Sequence, residues 1–456
     1  MRLISPWTPR LAEEAAPASD RLVAALAEDI LDGKLETGDR LPPHRDLADA
    51  LRIGVGTVTK AYGILERRGL VRSAKGSGTF VALVQTRRGT LIDLSRNAPP
   101  AVMTERLLAR TLAAVAKRVD PGLFNDYPPL AGHDEHRRLL AYWFARLGME
   151  TDPRRLVLTS GAHHAVSVAL AVACGPHGTL FTEAQTYPGA IALARHQGIR
   201  LVGVEMDGEG VMPEALDRAL AAERTGPAAL YVTPTMQNPT TATMGRARRE
   251  EIVSICRAND VMIIEDDVYA LAADADLPPL AMLAPERTFY ANSLSKTLNP
   301  ALRIGGLVAP PSMYEATISG LQATAIMVSP LSCAFMEQWL TDGTAEAVSE
   351  AIRVESSRRT ALARTMLGDL MHERDDRGYH VWLPMPKQEA HRLEHAARAL
   401  GVLITPPSST DAKPEADDGG IRLCLGSPSV ADLSAALAAI SRLRLDVRAP
   451  AVRPAL

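Results

Sequence analysis

The 456-residue sequence has little cysteine, no long apolar run and no excess of charge of either sign. Its four cysteines, Cys174, Cys256, Cys333 and Cys424, lie too far apart for a zinc knuckle or a disulfide framework. That pattern suggests a reducing, cytoplasmic setting, with the thiols acting as small buried apolar groups. No stretch approaches a membrane span, and the opening MRLISPWTPRLAEEAAPASD carries acids and prolines where a secretory signal needs an unbroken apolar core. With 50 basic against 53 acidic side chains, the overall balance argues neither for nor against nucleic acid, so the distribution of charge must decide. Repeats are absent, and SSTDAKPEADDGG is the one loop-like biased segment. It is expected to be a solvated excursion that ends just before Arg422, from where it could act as a lid. At this length two or three hydrophobic cores are expected.

What is present begins with a small unit over residues 19 to 82, after an N-terminal extension of residues 1–18. Ser19 is the expected cap of a helix whose Leu22, Leu26 and Ile30 recur every four residues, with Gly33 as its stop. DRLPPHRDLADAL predicts a proline-marked turn and a second short helix, and IGVGTVTKAYGILERRGL a third, with Val58, Tyr62 and Leu65 on one face and Gly69 at its end. LVRSAKGSGTFVA predicts a hairpin turning at GSG. Three helices and a hairpin match a winged helix-turn-helix. From Arg40 to Lys75 eight basic residues (Arg40, Arg45, Arg52, Lys60, Arg67, Arg68, Arg72, Lys75) face three acids (Asp46, Asp49, Glu66), a net +5 in a negative chain. Phosphate contacts require such a face; a helix-turn-helix used only for protein packing is the plainer alternative.

This stretch resembles the GntR-type winged helix, with LPPHRDLADAL, GTVTKAYGILERRGLV and GSGTFV in that family's order. The resemblance implies that Arg45, then Thr57, Thr59 and Lys60, then Gly76 and Gly78 approach DNA. Many relatives have a serine where this chain has Gly54, so a side-chain cap is lost at the third helix, although glycine remains an acceptable cap.

Residues 83–90 form a polar linker containing Arg87, Arg88 and Gly89, and a second pattern begins near residue 91. The apolar runs RLVLTS, GTLFTE, RLVGVEM, ALYVTP, VMIIED and RTFYANS alternate with helical stretches, which predicts a largely parallel sheet covered by helices over about residues 91–320. GYHVWLPM, GVLIT and IRLCLG suit a smaller α+β part over about residues 321–445 of a domain running to residue 456.

Lysine beside serine, as in SLSKTLNPALRIGG, is common on surfaces and weak by itself. Its neighbours change the reading of Lys296. IIEDDVY ends an apolar strand with Asp266 and places Tyr269 three residues on; TPTMQNPT ends another with Asn238; TSGAHHAVSVAL runs a strand through a small-residue turn into a helix, the geometry that holds a phosphate. Arg303 adds a fork-shaped cation. Together these meet the needs of pyridoxal phosphate, whose chemistry depends on a lysine imine and an acid partner for the ring nitrogen. In that reading Lys296 forms the imine, Asp266 keeps the pyridine protonated, and Tyr269 and Asn238 hydrogen-bond the phenolic oxygen. Ser293, Arg303 and the backbone around Gly161 and Ala162 hold the phosphate, all at the carboxyl ends of strands. His163 and His164 supply no third ligand for a metal, so none is expected.

From IDLSRN to the C-terminal part the chain resembles fold type I aminotransferases. That resemblance implies that Tyr187 of TYPGA stacks on the cofactor ring. It also implies that Tyr127 of YPPLAG, followed by Arg137, reaches the phosphate of a partner subunit, and that Arg422 of IRLCLG clamps a substrate carboxylate. Without it, the two tyrosines read as loop aromatics and Arg422 as a surface ion pair. Histidines at 163 and 164, where relatives often carry glutamines, and Thr241, where a glycine is frequent, are departures close to the cofactor.

A GntR-like reader joined to an aminotransferase-like body resembles the MocR/GabR family of transcription regulators. The resemblance implies a pyridoxal 5′-phosphate-dependent, DNA-binding homodimer, cytoplasmic and nucleoid-associated, that reads two half-sites and senses an amino acid, an amine or the vitamer itself. The alternative is an aminotransferase moving an amino group between an amino acid and a 2-oxo acid; its site looks complete, so the chain's status as an enzyme stays open.

Overall fold

The computed structural model describes residues 5, 7–11, 17–31, 34–35, 38–67, 70–74, 78–81, 91–270, 274–371 and 378–448. Gly33, Gly69, Gly76, the hairpin tip and the expected linker 83–90 lie outside them. Contacts divide the chain into two compact units, Met1–Ile92 with Pro428–Ala439, and Asp93–Ser427 with Ile440–Leu456.

In the first unit α1 spans Ala18–Leu31, α2 His44–Leu51 and α3 Val55–Arg67. The helix starts two residues earlier than the cap reading placed it, at Ala18 instead of Asp20. The Pro17 carbonyl accepts from the amides of Asp20 (2.9 Å) and Arg21 (3.1 Å), and Ser19 is buried inside the first turn rather than capping it. Proline has fixed φ and no amide to satisfy, which suits it to the position before a helix. Leu22, Leu26, Val58 and Leu65 are fully buried in one core with Tyr62, whose hydroxyl donates to the Pro42 carbonyl at 2.8 Å. Lacking a side-chain cap, α3 begins with the Gly54 carbonyl accepting from Thr57 and Val58. Strands β1 (Val71–Ala74) and β2 (Gly78–Val81) pair antiparallel, Val71 opposite Val81.

The second unit is built on a seven-stranded sheet. Its strands are β3 (Leu156–Thr159), β4 (Thr179–Glu183), β5 (Arg200–Val204), β6 (Ala228–Val232), β7 (Met262–Asp266), β8 (Thr288–Ser293) and β9 (Gly305–Val308). They lie in the order β3-β9-β8-β7-β6-β4-β5. The pairs from β8 to β5 are parallel, but β9 runs antiparallel to both β8 and β3. Strand β9 was not among the apolar runs, because it opens on a glycine pair instead of β-branched residues. A Cβ at Gly305 would lie 2.7 Å from the Asn292 carbonyl oxygen and 2.8 Å from the Gly161 carbonyl carbon, so close backbone approach selects glycine here. Buried clusters cover both faces, as a sheet with parallel connections demands. The smaller part contains the antiparallel pair β10 (His380–Pro386) and β11 (Asp418–Cys424).

The biased segment after residue 407 is docked around Thr410 and Ala412, while Pro414, Glu415 and Asp417 are exposed, as a solvated excursion requires. Thr410 is buried, its carbonyl accepts from the Thr186 amide at 2.8 Å, and the Ala412 amide donates to Ala184 at 2.9 Å. Lys387 pairs with Asp411 at 2.7 Å. Edge pairing there consumes backbone groups that polar composition alone assigned to water, so residues 410–412 form a docked strap. All four cysteines are free and buried. Among the described residues no helix is long and apolar enough to cross a membrane, and no cluster of three metal-ligating side chains occurs.

Candidate functional site

A cavity of about 490 Å³ opens at the carboxyl ends of the central strands. Asp266 ends β7, Ser293 ends β8, Asn238 follows β6, and Tyr187 follows β4. Ala162 opens the helix Ala162–Ala173, Lys296 lies on the short helix Leu294–Thr297, and Arg422 reaches in from β11. All of these, with Tyr269 and Arg303, line the one cavity. Residues as far apart in sequence as Ala162 and Arg422 meet because parallel strands present their carboxyl ends on one edge of the sheet.

Lys296 is half-buried, and its ammonium donates to the Asn97 carbonyl. Burial lowers its pKa to about 8, with Arg422 and Arg303 pushing the same way. A neutral, nucleophilic amine is therefore accessible near physiological pH. Asp266 is buried; its Oδ2 accepts from the Tyr231 hydroxyl at 2.8 Å, and its Oδ1 has no partner. Burial raises this carboxyl to about 6, against the opposing pull of Tyr231 and Lys296. The Tyr269 hydroxyl accepts from Asn97 Nδ2 at 2.8 Å and from Asn238 Nδ2 at 3.4 Å, and burial raises its pKa.

Arg422 is buried and donates to Asn238 Oδ1, to the Ser95 carbonyl (3.0 Å) and to Thr405 Oγ1 (3.0 Å). Every one of these acceptors is neutral, and no carboxylate among the described residues answers the charge. A buried cation held only by dipoles has strong affinity for an arriving anion.

At the opposite end, Gly161 precedes the helix with φ of +89°, and a Cβ there would lie 2.7 Å from Arg303 Nη2. Arg303 donates to the Ser160 carbonyl at 3.0 Å and to Ser295 Oγ at 3.3 Å. The Ser293 hydroxyl caps its own short helix by accepting from the Ser295 amide at 3.1 Å. Free helix amides, two hydroxyls and a guanidinium thus converge at one end. Tyr187 forms a side wall with its hydroxyl 3.4 Å from His163 Nδ1; Gly189 is required beneath it, since a Cβ there would meet the ring at 2.3 Å. Tyr127 stands apart, 72% exposed and away from the cavity of its own chain.

Asn97, Tyr231 and Ser295 are site residues that the motifs did not single out. Ser295 lay inside the quoted SLSK and was readable. Asn97 and Tyr231 carry no local signal, because their partners stand 172 and 35 residues away.

In the first unit Arg45 is exposed in the first turn of α2, and Thr59 and Lys60 are exposed on α3 with Thr57 half-buried. His44 Nδ1 lies 3.0 Å from Thr59 Oγ1, which itself donates to the Val55 carbonyl. Gly78, exposed at the start of β2, has φ of +116°.

Comparison with known proteins bears on both units. Residues 18–81 match the model for bacterial regulatory proteins of the gntR family, and residues 89–440 match that for aminotransferase class I and II. The chain belongs to the MocR/GabR-type transcriptional regulators. A MocR/GabR-type regulator joins a DNA-binding module to an effector-binding body, and its cofactor is pyridoxal 5′-phosphate. Among its relatives is the HTH-type transcriptional regulator YdeF of Bacillus subtilis, 30% identical over 87% of this chain and 88% of that protein. The vitamin B6 salvage pathway transcriptional repressor PtsJ of Salmonella typhimurium is 29% identical over 80% of this chain and 85% of its own. The body has the fold of LysN, an α-aminoadipate aminotransferase of Thermus thermophilus solved with N-(5′-phosphopyridoxyl)-L-leucine. The TM-score is 0.69 at 24% identity, over 78% of this chain and 92% of that one.

Proposed function

We propose that this regulator senses an amino acid or amine in the Lys296 cavity and that occupancy of the cavity biases the DNA-reading unit. The observation that carries the reading is the Arg422 guanidinium, buried without a counter-ion among the described residues in the same cavity as a lysine of lowered pKa. When bound, pyridoxal phosphate supplies an electrophilic carbon for amines and a ring that withdraws electrons from them.

The residues present fit that group. Lys296 offers the amine that carries it, and the unpartnered Oδ1 of Asp266 is placed to hold a proton on the ring nitrogen. Tyr269 and Asn238 would hydrogen-bond the phenolic oxygen, and Tyr187 would lie against the ring. Ser293, Ser295, Arg303 and the amides after Gly161 would hold the phosphate. Arg422 pairs with a ligand carboxylate, so its guanidinium exchanges the Asn238 side chain for an anion.

A homodimer completes the scheme: Tyr127, unused in its own chain, reaches the site of the second copy, and two winged helices address an operator with two half-sites. The experiment is a DNA-shift assay on the upstream region, with and without cofactor, across amino acids, amines and B6 vitamers. A shift insensitive to all of them contradicts sensing.

Transamination is the second reading, favoured by a cavity in which the lysine, the acid and the carboxylate clamp are all present. Sustained turnover of amino acid and 2-oxo acid pairs at about 10 per second, an ordinary enzyme rate, would establish it.

A further inference from the structure

Beyond the helix residues, the hairpin of the first unit carries a row of side chains that the proposed function does not use. Residues 38–41 run beside β2: the Leu41 amide donates to the Thr79 carbonyl at 2.9 Å and the Val81 amide to Asp39 at 2.8 Å. Arg40 forms an antiparallel bridge to Phe80, and Phe80 pairs with Arg72 on β1. Residues directly opposite in a ladder project to the same face, so Arg40, Phe80 and Arg72 form one row. Val71, Thr79 and Val81 on the other face are buried, which turns the row outward.

Both guanidinium groups are held. The Arg72 group lies over the Phe80 ring, 5.5 Å from its centroid. The Arg40 group lies against Gly78, where a Cβ would stand 3.0 Å from its Nε and 3.2 Å from its Nη2. The missing side chain at Gly78 is therefore the space that Arg40 occupies. Among the described residues neither guanidinium pairs with a carboxylate, and Arg40 Nε, shielded from water, has no hydrogen-bond partner. Two cations on one outward face, paired with no carboxylate among the described residues, are suited to phosphate oxygens.

We infer that Arg40 and Arg72 are DNA-backbone contacts of the wing, reading charge and not sequence. This rests on the DNA-binding role of the first unit and adds two residues to it. Full-length protein is titrated with its own upstream duplex and with an unrelated mixed-sequence duplex at several salt concentrations. Each phosphate contact contributes about 0.9 to the slope of log K against log salt. Arg40→Gln and Arg72→Gln are each expected to reduce the slope by about that amount on both duplexes, while Arg40→Lys retains it. Arg40→Met, which keeps the stem on Gly78, replaces the glutamine variant if that variant melts early. A wild-type slope in the Arg40→Gln/Arg72→Gln double variant, with Arg45→Ala still weakening binding, overturns the inference alone. A wild type that binds neither duplex at low salt overturns the DNA-binding reading beneath it.

Discussion

Arg422 on β11 donates to the side chain of Asn238 after β6, across 184 residues of sequence, and the same Asn238 donates to the Tyr269 hydroxyl at 3.4 Å. One amide thus joins the Arg422 guanidinium to the Tyr269 hydroxyl within the cavity. A carboxylate that captures Arg422 must loosen this link, which gives the ligand a physical route to alter the site.

Arg422→Ala should therefore separate ligands by chemistry. Binding of an amino acid is expected to weaken by roughly 2–5 kcal/mol, the scale for truncating one partner of a buried charge pair. Binding of the corresponding amine without a carboxylate should change little. Spectral titration of the cofactor with both ligands measures the difference, and equal losses would remove Arg422 from the clamp.

Asp266→Asn should weaken cofactor retention by about tenfold to a hundredfold, the worth of a hydrogen bond to a charged group of about 1.5–3 kcal/mol. The apoprotein should respond in the opposite sense. The folded carboxyl titrates near 6, above its ordinary 3.8, so the folded wild type binds more protons between those values and loses stability as pH rises through them. At pH 7 apo Asp266→Asn should melt above wild type, and the gap should close below about pH 4. Calorimetry of both apoproteins against pH checks it.

For Lys296 the sign reverses. Its folded pKa near 8 lies below the ordinary 10.5, so the unfolded chain binds more protons in that window and wild-type stability rises with pH across it. Apo Lys296→Met should be more stable than wild type at pH 7, with the advantage shrinking between about pH 8 and 10.5. The variant should also lose the visible absorption of covalently held cofactor. A variant that stays yellow after dialysis would place the attachment elsewhere.

Leu26→Ala removes a fully buried side chain from the core of the first unit and should cost about 2–5 kcal/mol there. DNA binding should be lost at a lower temperature while cofactor absorbance persists, because that core shares no residue with the clusters around the large sheet. Simultaneous loss of both signals would show the two cores to be thermally inseparable.

Much of the fold was legible because its signals are local. Helical spacing of Leu22, Leu26 and Ile30, the LPP turn and the paired strands Val71–Ala74 and Gly78–Val81 each act within a few residues, and the strand runs ending in Asp266 and Ser293 announce both the element and its last polar group. Strand β9 was hidden because Gly305 and Gly306 are selected by what approaches them, namely the Asn292 and Gly161 backbones. The strap around Thr410 was misread because polar composition predicts hydration only when no edge is free to pair, and Ala184 and Thr186 supply that edge.

Sequence alone determined which chemistry the chain carries: a lysine, an acid and two arginines at strand ends, and a basic reader ahead of them, since residue type and short-range spacing are properties of the chain itself. Tertiary structure alone decided that, among the described residues, Arg422 lacks a counter-ion and one oxygen of Asp266 lacks a partner, and that Arg40 fills the place of a side chain at Gly78. Those facts depend on which distant groups exclude water and which fail to meet, and burial and pairing exist only once the chain has closed on itself.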